Sequence, residues 1–455
     1  MEVINSFPGY EFVQFGEDGK SHNMYRGEDV GFGGYVYAEP GMYGRTICFD
    51  VAGMHPASIR ALNCLGEYTK NFGDLVDARL AIKHKDFEKA KTMFDGKLAP
   101  YLDDPTQAKA LSSALKIAIN SVFGLTAAKF DNPFRDSRNL NNQVALRGAL
   151  FMVNLKHEIQ DRGFQVIHCK TDSVKVVNPS QELCDFIMEY GQKYGYQFEI
   201  EHIFERICLV NNAVYIAKLA EDDPDSPGEW TATGKQFAIP YVFKTLFTKE
   251  SINPADMCET FSVKTALYLD MNETLPDVTG YEKELSKMED KYKKGLLSDT
   301  TFETEGRRLC ELIEKGHKYQ FVGKVGEFCP VKPGKGGGIL CREQNGKFYA
   351  ATGTTGYRWL ESEMIVKKLE EKEFVIDEET GKKKEIQKAE EILGNEDVID
   401  RSYYNKLIDD AITTISKFGD FERFASEDPY PIDDGRLDFM NIPENANEEE
   451  GLPWD

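Results

Sequence analysis

The chain has 455 residues, 41% of them hydrophobic and 29% charged, with a formal net charge of −22 at pH 7. That length can bury a core for about two to four domains, and no stretch approaches the roughly 20 consecutive apolar residues of a membrane span. The opening residues, MEVINSFPGYEF, lack the basic start and apolar run of a signal peptide, so a cytoplasmic location with no membrane partner is expected.

Residues 1–45 are rich in Gly, Tyr and Phe, with short alternating runs such as YVYAEP, and predict irregular strands and loops. Residues 45–51 predict a compact strand that carries Asp50 near its end. Residues 74–91 (DLVDARLAIKHKDFEKAK) have apolar positions at helical spacing among abundant Lys. A helix over 105–123 is predicted behind Asp104, a good N-cap, with Pro at the first helical position and a stop at Gly124. Gly96, Pro100 and Asp103 fall in the link, so the two helices predict an antiparallel hairpin.

A third helix is predicted over about 141–162, ending at Gly163. The run GFQVIHCKTDSVKVV alternates on both sides of Thr171-Asp172 and predicts a β-hairpin. Residues 198–219 predict two further strands. After Lys244 the pattern reads as mainly helical, with charged helices around 282–294 and 301–315. A Gly-rich stretch, KPGKGGG at 332–338, leads into ILCREQNGKFYAA, where Asn345-Gly346 is a strong hairpin signal. A second, highly charged hairpin is predicted at 374–386. There is no internal repeat.

From Glu427 to Asp455 ten Asp or Glu stand against Arg436 alone, a net of −9 that leaves −13 for the rest. This acidic, Pro-containing end is predicted to be disordered. Its close, NEEEGLPWD, is similar to the acidic tips with which bacterial single-strand-binding proteins recruit partners, although ordinary disorder also accounts for it. The acidic balance counts against nucleic-acid binding, which needs Lys and Arg for the phosphates, but a local basic surface would suffice. Nine cysteines are scattered without CxxC or paired spacing, so they read as reduced thiols.

Three constellations carry possible chemistry. In CFDVAGMHPASIRALN, residues 48–63, a carboxylate at a strand end before a tight turn into a helix can hold a divalent metal; alone, such an Asp is more often a turn former or cap. In VIHCKTDSVKV, residues 166–176, Asp172 at a hairpin tip projects into whatever space the sheet faces, again a common turn position. Two such aspartates facing each other would repel unless cations lay between them. Phosphoryl transfer uses that arrangement, with two Mg²⁺ about 3.5–4 Å apart. The third constellation is a helix face: Lys116 and Asn120 are four apart, Phe123 follows three later, and Ser112 extends the stripe. Arg79 and Lys83 are likewise four apart on the companion helix. Two cationic faces could grip a triphosphate, or could be solvated basic faces.

Taken in order, these segments resemble the signature blocks of family B DNA polymerases. Residues 50–63 match DFxSLYPSIIRAHN without a gap, 116–124 (KIAINSVFG) match KxxxNSxYG, and 166–176 match VIYGDTDSVMV. DLVDARLAIK resembles the family's first fingers helix. The resemblance is close over roughly 45–245 and weaker beyond, where FVGKVGEFCPVKPGKGGGIL and GTTGYRWLESE look like the thumb of a tailed-phage branch.

What the resemblance implies is an α+β right hand. Its palm is an antiparallel sheet at 1–69 and 126–245, its fingers a helical hairpin at 70–125, and its thumb a mainly helical region at 246–425, before the tail at 426–455. It implies template-directed synthesis, in which a primer 3′-hydroxyl attacks a dNTP and expels pyrophosphate. Asp50 and Asp172 would be the catalytic metal ligands, with the Val51 carbonyl as a further oxygen for two Mg²⁺, or Mn²⁺. Arg79 and Lys116 would bind the triphosphate, Asn120 would help place it, and His55 would stand against a ribose 2′-hydroxyl. Phe123 and Gly124 would pack on the nascent base pair. Tyr215 would meet the primer–template DNA, with Lys218 or Lys235 replacing a lysine that NNAVY lacks at Ala213.

Departures from the pattern favour a rival reading, a non-catalytic DNA-binding or scaffold remnant. Lys170 replaces the first Asp of DTD, and His55 replaces a Tyr. Only 49 residues precede Asp50 and they hold no DxE motif, so proofreading is not expected in this chain and a separately encoded exonuclease subunit or a single-strand-binding protein is an expected partner. A reverse transcriptase, the other rival, would normally show Asp-Asp where this hairpin has Thr-Asp-Ser.

Overall fold

The computed structural model describes residues 6–136, 139, 142–271, 279–367, 372–376, 383–387, 391–392 and 396–427. The chain divides into two compact units, Met1–Gly234 with Thr414–Asp455, and Lys235–Thr413. The acidic tail beyond Glu427 lies outside the described residues. Among those described, no helix is long and apolar enough to cross a membrane, and all nine cysteines are free, only Cys310 being exposed.

In the first unit, β1 (Glu11–Val13), β2 (His22–Tyr25) and β3 (Glu28–Asp29) form a small antiparallel sheet. A larger antiparallel sheet collects β4 (Val36–Ala38), β5 (Gly41–Tyr43), β6 (Thr46–Val51), β7 (Val166–Lys170), β8 (Ser173–Val177), β9 (Phe198–Asn211), β10 (Val214–Leu219) and β11 (Trp230–Thr233). Its order is β11-β10-β9-β6-β8-β7-β4, with β5 also paired to β9. Strand β6 sits in the middle and is buried on both faces apart from the half-buried Asp50, one face being the apolar Ile47, Phe49 and Val51 and the other Thr46, Cys48 and Asp50. Ile47, Phe49 and Val51 enter the main core, while Cys48 points the other way into a smaller one with Ile167, Phe204 and Leu209. Asp50 shares the Cys48 face, since side chains alternate.

Helices α1 (Met54–Ala61), α2 (Thr69–Lys83), α3 (Phe87–Thr92), α4 (Pro105–Thr126), α5 (Gln143–Asp161) and α6 (Gln181–Lys193) complete this part. Helix α5 is buried along most of its length and supplies Val144, Leu150, Phe151 and Met152 to the main core. Helices α2, α3 and α4 share a small core of Ala81, Ile82, Ala90, Leu102 and Ala108. Two boundaries differ from expectation. The helix expected over 74–91 begins at Thr69 and breaks after Lys83, where Lys85 turns left-handed (φ 62°) and Asp86 caps α3 by accepting from Lys89 N at 3.2 Å. The helix behind Asp104 runs past Gly124 to Thr126, because an exposed Gly inside a helix costs only about 1 kcal/mol and the buried Thr126 hydroxyl bonds back to Phe123 O at 2.6 Å.

The second unit departs most from expectation: it is not mainly helical. Strands β12 (Glu259–Asp270), β13 (Tyr319–Val331), β14 (Ile339–Gln344), β15 (Lys347–Ala350) and β16 (Arg358–Glu361) form an antiparallel sheet in the order β15-β14-β12-β13-β16. The expected charged helices are present as α7 (Thr279–Lys293) and α8 (Asp299–Gly316), followed by α9 (Arg401–Ser416). Asn345 and Gly346, both left-handed, turn β14 into β15. The charged hairpin appears as Lys372–Ile376 paired with Lys383–Gln387. The Gly-rich stretch is a turn fastened by Arg358, which donates to Gly336 O and Gly337 O at 3.2 and 2.6 Å.

Candidate active site

Sheet register brings the two expected acids together. Asp50 lies opposite Ser173 on β8 and opposite Glu199 on β9. Ser173 is the first residue after the two-residue turn Thr171-Asp172, so the hairpin tip delivers Asp172 beside Asp50. Val51 N–H donates to the Asp172 carbonyl at 2.9 Å, which locks the tip to β6. Thr171 is left-handed (φ 57°), a strained place for a β-branched residue. Its N–H donates to Tyr35 O at 2.9 Å, and Gly34 lies so close that a Cβ there would meet Thr171 Oγ1 at 3.0 Å. On the other side of Asp50, Gly53 (φ 81°) makes the tight turn into α1.

Both acids are half-buried, and neither forms an ion pair among the described residues. Burial, then the negative charges of Asp172 and Glu201, push the Asp50 carboxyl up to about 7, while Lys83 draws it down. Burial likewise raises Asp172, against the pull of its own backbone N–H, of His55 and of Lys175. Two unpaired acids with raised proton affinity form a place where a divalent cation would relieve repulsion. The Val51 carbonyl already accepts from Gly53 N at 2.5 Å, and a carbonyl oxygen has a second lone pair to offer. Among the described residues no group of three or more His, Cys, Asp or Glu could hold a metal ion. A cation here would rest on two carboxylates, backbone and substrate oxygens, which suits Mg²⁺.

Helix α2 passes over this floor. Lys83 Nζ and His84 Nε2 reach the two Glu199 oxygens at 2.5 and 2.6 Å. Burial raises the Glu199 carboxyl, but these two partners outweigh it and hold the group below its ordinary range. One turn earlier Arg79 has a buried Nε with no hydrogen-bond partner. On α4, Lys116 and Asn120 are exposed, and Lys116 has no carboxylate within ion-pair distance among the described residues. Phe123, on the same stripe, packs against His55 with ring centroids 4.5 Å apart. Burial lowers the affinity of the His55 ring for a proton, opposed by the charge of Asp172. Asp50, Asp172, His55 and Phe123 are therefore one constellation. Gly124 is exposed with open space where a Cβ would stand.

The remaining expected residues are placed differently. Tyr215 is half-buried on β10, beneath Lys175 Nζ at 5.2 Å from its ring centroid. Lys218 is paired with Glu427 at 3.0 Å. Lys235, in the second unit, is paired with Glu259 at 3.0 Å and lies over the Phe261 ring. Both lysines are engaged. Lys170 is exposed at the end of β7.

Sequence reasoning missed Glu199, Glu201, His168 and Lys175. Lys175 is 4% exposed, its Nζ 3.5 Å from His168 Nδ1. Burial, then the charge of Lys175, lowers His168 to about 4. Alternation from Ser173 was the available signal for Lys175, because β8 pairs Ser173 with Asp50 and Lys175 with Cys48.

No family model matches the chain, and no curated protein does. Among solved structures it is similar to the family B DNA polymerase from the hyperthermophilic archaeon Pyrobaculum calidifontis, with a TM-score of 0.40 and 12% identity over 84% of this chain. The chain spans 46% of that protein, under two thirds of its length. So distant a likeness carries no argument about the site, which stands on its own residues.

Proposed function

We propose that this chain is the polymerising part of a family B-like DNA-directed DNA polymerase, joining a dNTP to a primer 3′-hydroxyl with release of pyrophosphate. The observation that carries the reading is the convergence of Asp50 and Asp172. Residues far apart in the chain, each central to a block resembling the family, meet at one sheet end as unpaired acids.

In this reading Asp50, Asp172 and the Val51 carbonyl hold divalent cations, Mg²⁺ or Mn²⁺. When bound, these supply neutralising charge at the attacking and departing oxygens. The chain's own residues do the rest. Arg79, whose Nε lacks a partner, and Lys116 bind the triphosphate, the first as a planar fork and the second as a point charge. Asn120 orients it. His55, braced by Phe123, fills the space that a 2′-hydroxyl would need. Catalysis is then positioning plus charge stabilisation. Primer–template DNA is the partner, with a separately encoded exonuclease or a single-strand-binding protein as further candidates.

The test is extension of a labelled primer by the purified chain with Mg²⁺ or Mn²⁺, alongside Asp172→Asn. Extension by the wild type, lost in Asp172→Asn while primer–template binding persists, is expected. Unimpaired extension by Asp172→Asn would contradict the assignment. The alternative, a non-catalytic DNA-binding remnant, is favoured by Lys170 and by the engagement of Lys218 and Lys235 in ion pairs. It predicts DNA binding with no extension under either metal.

A further inference from the structure

We propose that Glu199 is an intramolecular stand-in for substrate phosphate, occupying Lys83 and His84 until a polyphosphate displaces it and so favouring triphosphates over smaller phosphate anions. The inference rests on the reading of this site as a triphosphate site.

Three observations carry it. First, the Glu199 carboxylate is gripped as a bound phosphate would be: one oxygen receives Lys83 Nζ at 2.5 Å and the other meets His84 Nε2 at 2.6 Å. Second, the grip is placed at the reacting centre, since Glu199 opposes Asp50 across β6 and β9, and Lys83 and Glu199 both act on the Asp50 carboxyl. Third, the two cations of the α2 stripe differ in state. Arg79 has an orphan Nε, whereas Lys83, one turn on, is masked.

The pair is also built to exchange. Lys83 is 45% exposed and Glu199 23%, so water screens the contact and weakens it. Helix α2 ends at Lys83, and Lys85 turns left-handed two residues later, so the gripping side chains come from a helix terminus. A dianion reaching Arg79 has little further charge with which to compete for Lys83. A triphosphate reaches both and replaces one charge-assisted contact with another. Glu199 thus lowers affinity for every anion, and lowers it most for the small ones.

The test is calorimetric binding of inorganic tripolyphosphate and of orthophosphate to the full chain in EDTA, where no chemistry occurs. Glu199→Gln is expected to tighten tripolyphosphate at least threefold and to narrow its advantage over orthophosphate. Lys83→Met is expected to weaken tripolyphosphate, and Glu199→Gln added to Lys83→Met to give a smaller gain than in the wild-type background, because only His84 is then unmasked. Equal or weaker binding in Glu199→Gln, or an equal gain with Lys83 absent, would overturn the proposal. Should Glu199→Gln melt early, Glu199→Asp keeps the charge on a shorter arm and is expected to give a smaller gain in the same direction; no gain there counts against the latch. Absence of primer extension by the wild type would remove the polymerase reading while leaving this measurement intact, so the two failures are distinguishable.

Discussion

The backbone N–H of Val51 donates to the carbonyl of Asp172 at 2.9 Å, so the turn that carries one acid is bonded to the residue beside the other. The acids cannot separate without breaking that bond, and they must tolerate each other's charge. Asp50 has a folded-state pKa near 7, above the unfolded value near 3.9. The folded state therefore binds the proton more tightly, and stability falls as pH rises between those values. Asp50→Asn should remove the liability. At pH 8 it is expected to stabilise the chain by about 1–2 kcal/mol after allowing for the half-exposed setting, and to lose that advantage near pH 4. Melting temperatures across pH check this.

Added Mg²⁺ should oppose the same repulsion. At pH 8 the wild-type melting temperature is expected to rise with millimolar Mg²⁺, as for any ligand of the folded state. Asp50→Asn and Asp172→Asn should respond much less. Equal shifts in all three would place cation binding elsewhere.

Lys116→Ala should mainly impair dNTP use. About a tenfold rise in KM together with a lower kcat is expected, because the phosphate contact binds the ground state and tightens as charge develops in the transition state. Steady-state extension with varied dNTP separates the two constants.

His55 and Phe123 pack ring to ring, so they should fail in the same way. His55→Ala is expected to raise the ribonucleotide-to-deoxyribonucleotide ratio of kcat/KM by about tenfold, a difference near 1.4 kcal/mol. Phe123→Ala should shift it in the same direction by less. Competing incorporation of matched nucleotides measures both.

Behind the hairpin, Glu28 accepts from Lys156 Nζ at 2.8 Å, from His157 at 2.7 Å and from the Tyr35 hydroxyl. Lys156 is 4% exposed, so Glu28→Ala leaves a buried cation without its carboxylate and is expected to cost about 3 kcal/mol, the low end for such a loss because Lys156 still lies over the Tyr37 ring. Urea unfolding at pH 7 tests it.

The legible part of the chain was that in which local pattern and register agree. Alternation around Thr171-Asp172 placed the hairpin, and Asp104-Pro105 placed the start of α4. The break at Lys85 was not visible, because apolar spacing runs through it and Asp86 reads equally well as a helix interior charge. Glu199 and Glu201 were missed for another reason. In FEIEHIFERICLVN alternating acids look like the solvent face of a strand, and only pairing with β6 turns that face toward Asp50. Strands β12 and β13 were missed because Lys and Gly interrupt their alternation over exposed stretches such as VGKVG.

Tyr35 and Gly34 press on Thr171 from a segment that carries none of the recognisable motifs. An engineer trimming this protein to its motif-bearing portion would cut away the wedge under the hairpin, and the shortened protein would keep every signature residue while losing the support that holds Asp172 in place.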